Sequence, residues 1–159
     1  MDKLISDAST RHGIPENLLR AIIEVESGFK PWANRAEPHY RWLWNIRERT
    51  PYRGDPENIP APIGRSHMTE LWGQRMSWGL MQIMGAVARE YGFAGRDLTE
   101  LCDPAINLQY GCHHLTQYYR RFGGEHGWEG VVRAYNTGRP DRTKRAIIYQ
   151  DKIMEAGGL

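Results

Sequence analysis

Residues 18–32 read LLRAIIEVESGFKPW, an apolar run with two glutamates, Glu24 and Glu26, close together. Apolar residues recur at helical spacing, Pro15 suits a first helical turn and Gly28 suits a stop. A helix from Pro15 to about Ser27 is expected. On a wheel advancing about 100° per residue from Leu18, Ile22 falls at about 40°, Val25 at about −20° and Leu19 at about 100°. Glu26 lands at about 80°, inside this apolar arc, while Glu24 lands at about 240° with Asn17 and Arg20. Glu24 therefore reads as solvated, and Glu26 as buried or at the edge of a cleft. Burial disfavours a charged carboxyl, and the negative end of the helix dipole acts in the same direction. Both would keep Glu26 protonated near neutral pH, as a general acid requires. A salt bridge to an arginine is the plain alternative, and this segment alone leaves both open.

The helical pattern continues on either side. A first helix is expected from Asp2 to about His12, stopped at Gly13. A short one is expected over Gly85–Tyr91. Asp103 can cap a long helix that has Pro104 in its first turn. Its apolar face would comprise Ile106, Leu108, Tyr110, Leu115, Tyr119 and Phe122, ending at Gly123-Gly124. Further helices are expected over about 128–135 and 143–156. No strand-like alternation of any length appears. From Asn34 to about Arg75 the periodicity dissolves into a proline- and glycine-rich stretch, which reads as loop. The expectation is a single all-α domain, residues 1–159, with one long irregular insertion at about residues 33–76.

Composition narrows the functional classes. The 159 residues carry a net charge of only +2, too little to argue for nucleic acid as a partner. No apolar run approaches the roughly 20 residues of a membrane span, so stable membrane insertion is not expected. The N-terminus, MDKLISDAST, has no export-signal pattern, so synthesis without a signal peptide is expected. Cys102 and Cys112 would stand too far apart along a helix for a disulfide, and both read as free thiols. His113 and His114 are adjacent and point to different sides of a helix, and His12, His39, His67 and His126 are scattered. No metal site and no cofactor are expected. Six tryptophans and eight tyrosines fill so short a chain, either as core or as flat surfaces for sugar rings.

Three further stretches follow Glu26-Ser27-Gly28 in order: SWGLMQIM (77–84), DPAINLQYG (103–111) and AYNTG (134–138). The set resembles the soluble lytic transglycosylases and related goose-type lysozymes, which cleave the glycan strands of bacterial peptidoglycan. The resemblance runs from about Ile14 to Ile153 and implies a lysozyme-like helical fold. It implies Glu26 as catalytic acid/base, with Ser27 orienting the acid or the substrate. Ser77, Gly79, Leu80, Met81, Gln82 and Ile83 would line the cleft near the cleaved bond. Tyr135 would stand near the catalytic carboxyl, and Asn136 would reach the sugar. Asp103, Pro104 and Asn107 match a structural turn, and Tyr149 loosely matches a tyrosine of the family's last helix.

Two departures stand out. Ser27 and Ser77 lie much further apart than the family typically places these motifs, in the manner of some bacteriophage cell-wall lysins. The insertion reads either as a cleft wall, with Tyr40, Trp42 or Trp44 stacking on sugars, or as a peripheral flap. Glu37 within it is a candidate second catalytic carboxylate that activates water, or an ion-pair partner for Arg35 or Arg41. Asp55, Glu57 and Glu70 read as solvated. The other departure is Gly85, where the family often has proline. The resemblance implies cleavage between N-acetylmuramic acid and N-acetylglucosamine, forming 1,6-anhydro ends. A hydrolysing muramidase is one alternative, and a non-catalytic glycan-binding or virion protein is another. The resemblance implies a protein made in the bacterial (host) cytoplasm that acts, as a monomer, on the cell wall or periplasm after release.

Overall fold

Helices α1 (Asp2–His12) and α2 (Glu16–Ser27) each stop at a glycine in the left-handed region, Gly13 at φ 64° and Gly28 at φ 57°. Both stops fall where the glycines predict them. The computed structural model describes residues 1–159. They form two units, residues 1–29 with 111–159, and residues 30–110.

The second unit contains β1 (Asn34–Ala36), β2 (Trp44–Asn45), β3 (Thr50–Pro51), α3 (His67–Gln74), β4 (Met76–Trp78), β5 (Ile83–Met84) and α4 (Gly85–Glu90). The insertion expected to be loop thus contains a helix and short strands. Each strand is two or three residues long, too short for periodicity to reveal. β1, β4 and β5 form an antiparallel sheet in that order, with Arg35 opposite Ser77 and Ser77 opposite Met84. β2 and β3 form a separate hairpin. Ser66 caps α3, its Oγ accepting from the Thr69 amide at 3.0 Å.

Glu70 corrects a second expectation, because it is buried and not solvated. Arg89 donates from Nε and Nη2 to the two Glu70 carboxylate oxygens at 2.8 and 2.9 Å, with both side chains almost sealed from solvent. Arg89 also donates to the carbonyls of Phe93 and Gly95. Gln74 donates to Glu70 at 2.9 Å, completing a buried network in which the charges have partners. An apolar cluster of Trp78, Ile83, Ala88, Phe93, Leu98 and Leu101 forms the main core of this unit.

Gly85 has a packing role that the sequence does not show. A Cβ there would lie 2.1 Å from the Gly73 carbonyl oxygen, so α4 begins in backbone contact with the end of α3. A proline ring would not fit.

Helix α5 (Pro104–Thr137) starts as expected, with Asp103 Oδ1 accepting from the amides of Ala105 and Ile106. It does not end at Gly123-Gly124. Glycine inside a helix costs only about 1 kcal/mol relative to alanine, and the helix runs on until Gly127, which adopts φ 57°, ψ −167°. Tyr119 is exposed and stacks on Trp128 with ring centroids 4.2 Å apart, so it leaves the expected apolar face. Helix α6 (Lys144–Glu155) is capped by Thr143 and buries Ala146, Tyr149, Gln150 and Ile153. In the first unit these join Ile5, Leu18, Leu19, Ile22, Ile23, Leu115, Val131 and Val132 as buried residues. Both cysteines are free, and burial pushes the Cys112 thiol up to about 12.

Candidate active site

Glu26 occupies the last turn of α2, partly buried, whereas Glu24 is exposed. Ile22 and Ile23 beneath it are sealed from solvent, which anchors the helix end against the core. Ser27 Oγ donates back to the Ile23 carbonyl at 3.0 Å, so this hydroxyl is engaged with its own helix. From α6 the Tyr149 phenol donates to Glu26 Oε1 at 2.7 Å. Burial, then the charge of Glu26 and its hydrogen bond, and then Tyr135 hold this phenol well above the ordinary tyrosine range. Tyr149 therefore remains a donor across any working pH, and the direction of the bond is fixed.

The last turns of α5 carry Tyr135 and Asn136 into the same unit. Arg133, nearly buried, donates from Nε to the Pro140 carbonyl at 2.8 Å and from Nη1 to Gln150 Oε1. This brace ties the end of α5 to α6 beside Tyr149. The His114 ring packs at 5.6 Å from that of Tyr135 and at 4.6 Å from that of Tyr118. Burial, helped by His113, lowers His114 to about 4, so a neutral imidazole stands beside Tyr135 at neutral pH. Asn136 Oδ1 is buried without a hydrogen-bond partner, an acceptor left open for a donor.

The structure thus brings both Glu26 and Tyr135 into electrostatic reach of Tyr149. Tyr149 was only loosely legible. Its spacing from Ala146 and Ile153 marks it as facing the core, but nothing in the sequence pairs it with Glu26. Arg133, Gln150 and His114 were missed, since buried polar braces carry no local motif.

A further group of the expected residues lies in the second unit. Gly79 adopts φ 68°, and a Cβ there would meet Asn107 Nδ2 at 2.3 Å. Asn107, fully buried on α5, accepts from the Met81 amide and donates to the carbonyls of Trp78 and Leu101. It is a clamp for the turn between β4 and β5. Gln82, at φ 48°, donates to the carbonyls of Ala33 and Gly79, each at 3.0 Å, and accepts from Ser77 Oγ at 2.8 Å. Its amide braces the turn. Leu80, Met81 and Ile83 are 0%, 0% and 2% exposed, which corrects their expected role as substrate contacts. They are core, because a turn this tight sends its apolar side chains inward. Glu37 pairs with Arg35 at 2.6 Å on an exposed surface.

The family described as "Transglycosylase SLT domain" matches residues 3–154. The chain belongs to this family. Its members are lytic transglycosylases that cleave peptidoglycan, and this transglycosylase is an enzyme of that class. No curated protein and no solved structure matches the chain. The SLT match covers almost all of α1 through α6, with the insertion inside it. No helix of the transglycosylase is long and apolar enough to cross a membrane.

Proposed function

We propose that the transglycosylase cleaves the β-1,4 bond between N-acetylmuramic acid and N-acetylglucosamine with Glu26 as its acid and then its base, leaving 1,6-anhydromuramic ends. The observation that carries this reading is the 2.7 Å hydrogen bond from Tyr149 to Glu26 Oε1. With Oε1 accepting from a phenol that keeps its proton, the Glu26 carboxyl is oriented to carry the transferable proton. In the first step that proton passes to the bridging oxygen as its bond to the muramic C1 breaks. The muramic acetamido oxygen can stabilise C1, as in substrate-assisted glycosidases. In the second step the muramic O6 bonds to C1 and its proton passes to the Glu26 carboxylate. No water is consumed, and an attacker on the same ring has a high effective concentration. Tyr135 would contact the acid, and the open carbonyl of Asn136 would accept from a sugar N–H or O–H.

A water-activating role for Glu37 draws no support from its pairing with Arg35. The long spacing between Ser27 and Ser77 is what supports a lysin of the bacteriophage type, acting on the wall after release from the cell where it is made. The test is digestion of purified peptidoglycan followed by mass analysis. Anhydro muropeptides, lighter by one water than hydrolysis products, are expected. Products carrying the mass of added water would reassign the enzyme as a muramidase. Glu26→Gln should lower the rate by about 10²–10⁴-fold, the usual contribution of a general acid.

A further inference from the structure

The β2–β3 hairpin of the insertion is mounted rigidly. Buried Gln74 accepts from the Trp44 amide at 2.8 Å and donates to the Trp44 carbonyl at 2.9 Å, which links the hairpin to the Glu70–Arg89 network. Tyr52 donates its amide to the Leu43 carbonyl at 2.8 Å, and Leu43, Ile59 and Leu71 form a small core beneath. Asn45 Oδ1 accepts from the amides of Arg47 and Glu48, closing the loop.

Around this mount lie three hollows of about 300, 400 and 500 Å³. The first two share Trp44, and the second and third share Pro51, Tyr52 and Arg53. They are therefore neighbours in a run along the hairpin. Each falls in the range of roughly 300–1,000 Å³ typical of small-molecule sites. The run presents aromatic rings at Trp44, Trp42 and Tyr52, with Trp42 69% exposed. Arg41 lies 5.0 Å from the centroid of the Trp42 ring. Arg35, Arg65 and Arg89 are in ion pairs, whereas Arg41, Arg49 and Arg53 have no carboxylate partner. Glu90 and Glu48 stand among them in the second and third hollows. Those carboxylates disfavour a polyphosphate chain and suit the hydroxyl and amide donors of a sugar.

We propose that this hairpin carries a binding track for an extended glycan strand bearing carboxylates, the intact peptidoglycan chain. Aromatic faces meet the sugar rings, and Arg41, Arg49 and Arg53 meet the lactyl and peptide carboxylates. The proposal rests on peptidoglycan being the substrate and adds a site that holds the strand without cutting it.

The test uses the full chain with Glu26→Gln, so that binding is read without cleavage, in co-sedimentation with insoluble peptidoglycan. Adding Trp42→Ala, or Arg41→Gln together with Arg53→Gln, is expected to weaken retention at least five-fold while leaving thermal unfolding unchanged. Raising salt to about 0.5 M should weaken retention of the Glu26→Gln protein, because exposed charges are then screened. Neutral N-acetylglucosamine oligomers should compete less well than soluble muramyl strands. Unchanged retention in both hairpin variants, or equal competition by the neutral oligomers, overturns the track and leaves the cleavage reading standing. Failure of the Glu26→Gln protein itself to sediment overturns the peptidoglycan reading as well.

Discussion

Glu26 and Tyr149 are separated by 123 positions in the chain and joined by one hydrogen bond. A carboxyl that accepts from a buried phenol is held in orientation, which a proton relay needs. Replacing Tyr149 by Phe removes the donor and little volume. A hydrogen bond to a charged group contributes about 1.5–3 kcal/mol, and about 1.4 kcal/mol corresponds to ten-fold in rate. Tyr149→Phe is therefore expected to lower turnover by roughly 10-fold or more and to shift its pH profile. A profile and rate equal to the parent's would show that the phenol does not position the acid. Glu26→Gln keeps an oxygen for Tyr149 to donate to, so its circular dichroism and urea midpoint should stay close to those of the parent. At this scale the sequence was informative about Glu26, whose place on the wheel matches its partial burial. It was uninformative about Gln82, because an amide that braces a turn and one that touches a sugar look alike in one dimension.

Among the elements, the insertion shows where reading by pattern stops. Helix stops at Gly13 and Gly28 and the start of α5 at Asp103-Pro104 were legible, since each depends on a local backbone requirement. Helix α3 was not, because eight residues between proline-rich flanks offer too few turns for a period to emerge. It is tied to α4 by Glu70 and Arg89, nineteen positions apart. Arg89→Leu would strand a buried carboxylate and free two carbonyls. Breaking a buried pair in this way costs about 3–5 kcal/mol. The expected result is a large fall in urea midpoint, with the Trp78 and Phe93 environments altered in near-ultraviolet circular dichroism. A loss below about 1 kcal/mol would mean that the insertion does not depend on this pair.

For the molecule as a whole, family membership over residues 3–154 accords with the order of the four motifs, and the helical class accords with the periodicity. Global stability should carry the signature of His114. Its folded value of about 4 lies below the ordinary 6.5, so between those values the unfolded chain binds the extra proton. Stability is then full above pH 6.5 and declines as pH falls toward 4, by up to about 3 kcal/mol. His114→Gln should flatten that part of the curve of unfolding free energy against pH. An unchanged slope would place the acid sensitivity elsewhere.

The two unjoined thiols, one held near 12, have a consequence for handling. A chain whose integrity depends on no sulfur–sulfur bond is indifferent to the electron balance of its surroundings. Its melting temperature and lytic rate should be the same with and without dithiothreitol, and a clear drop on adding the reductant would contradict this. The same catalyst can then be purified and assayed with or without reductant, with no refolding in between.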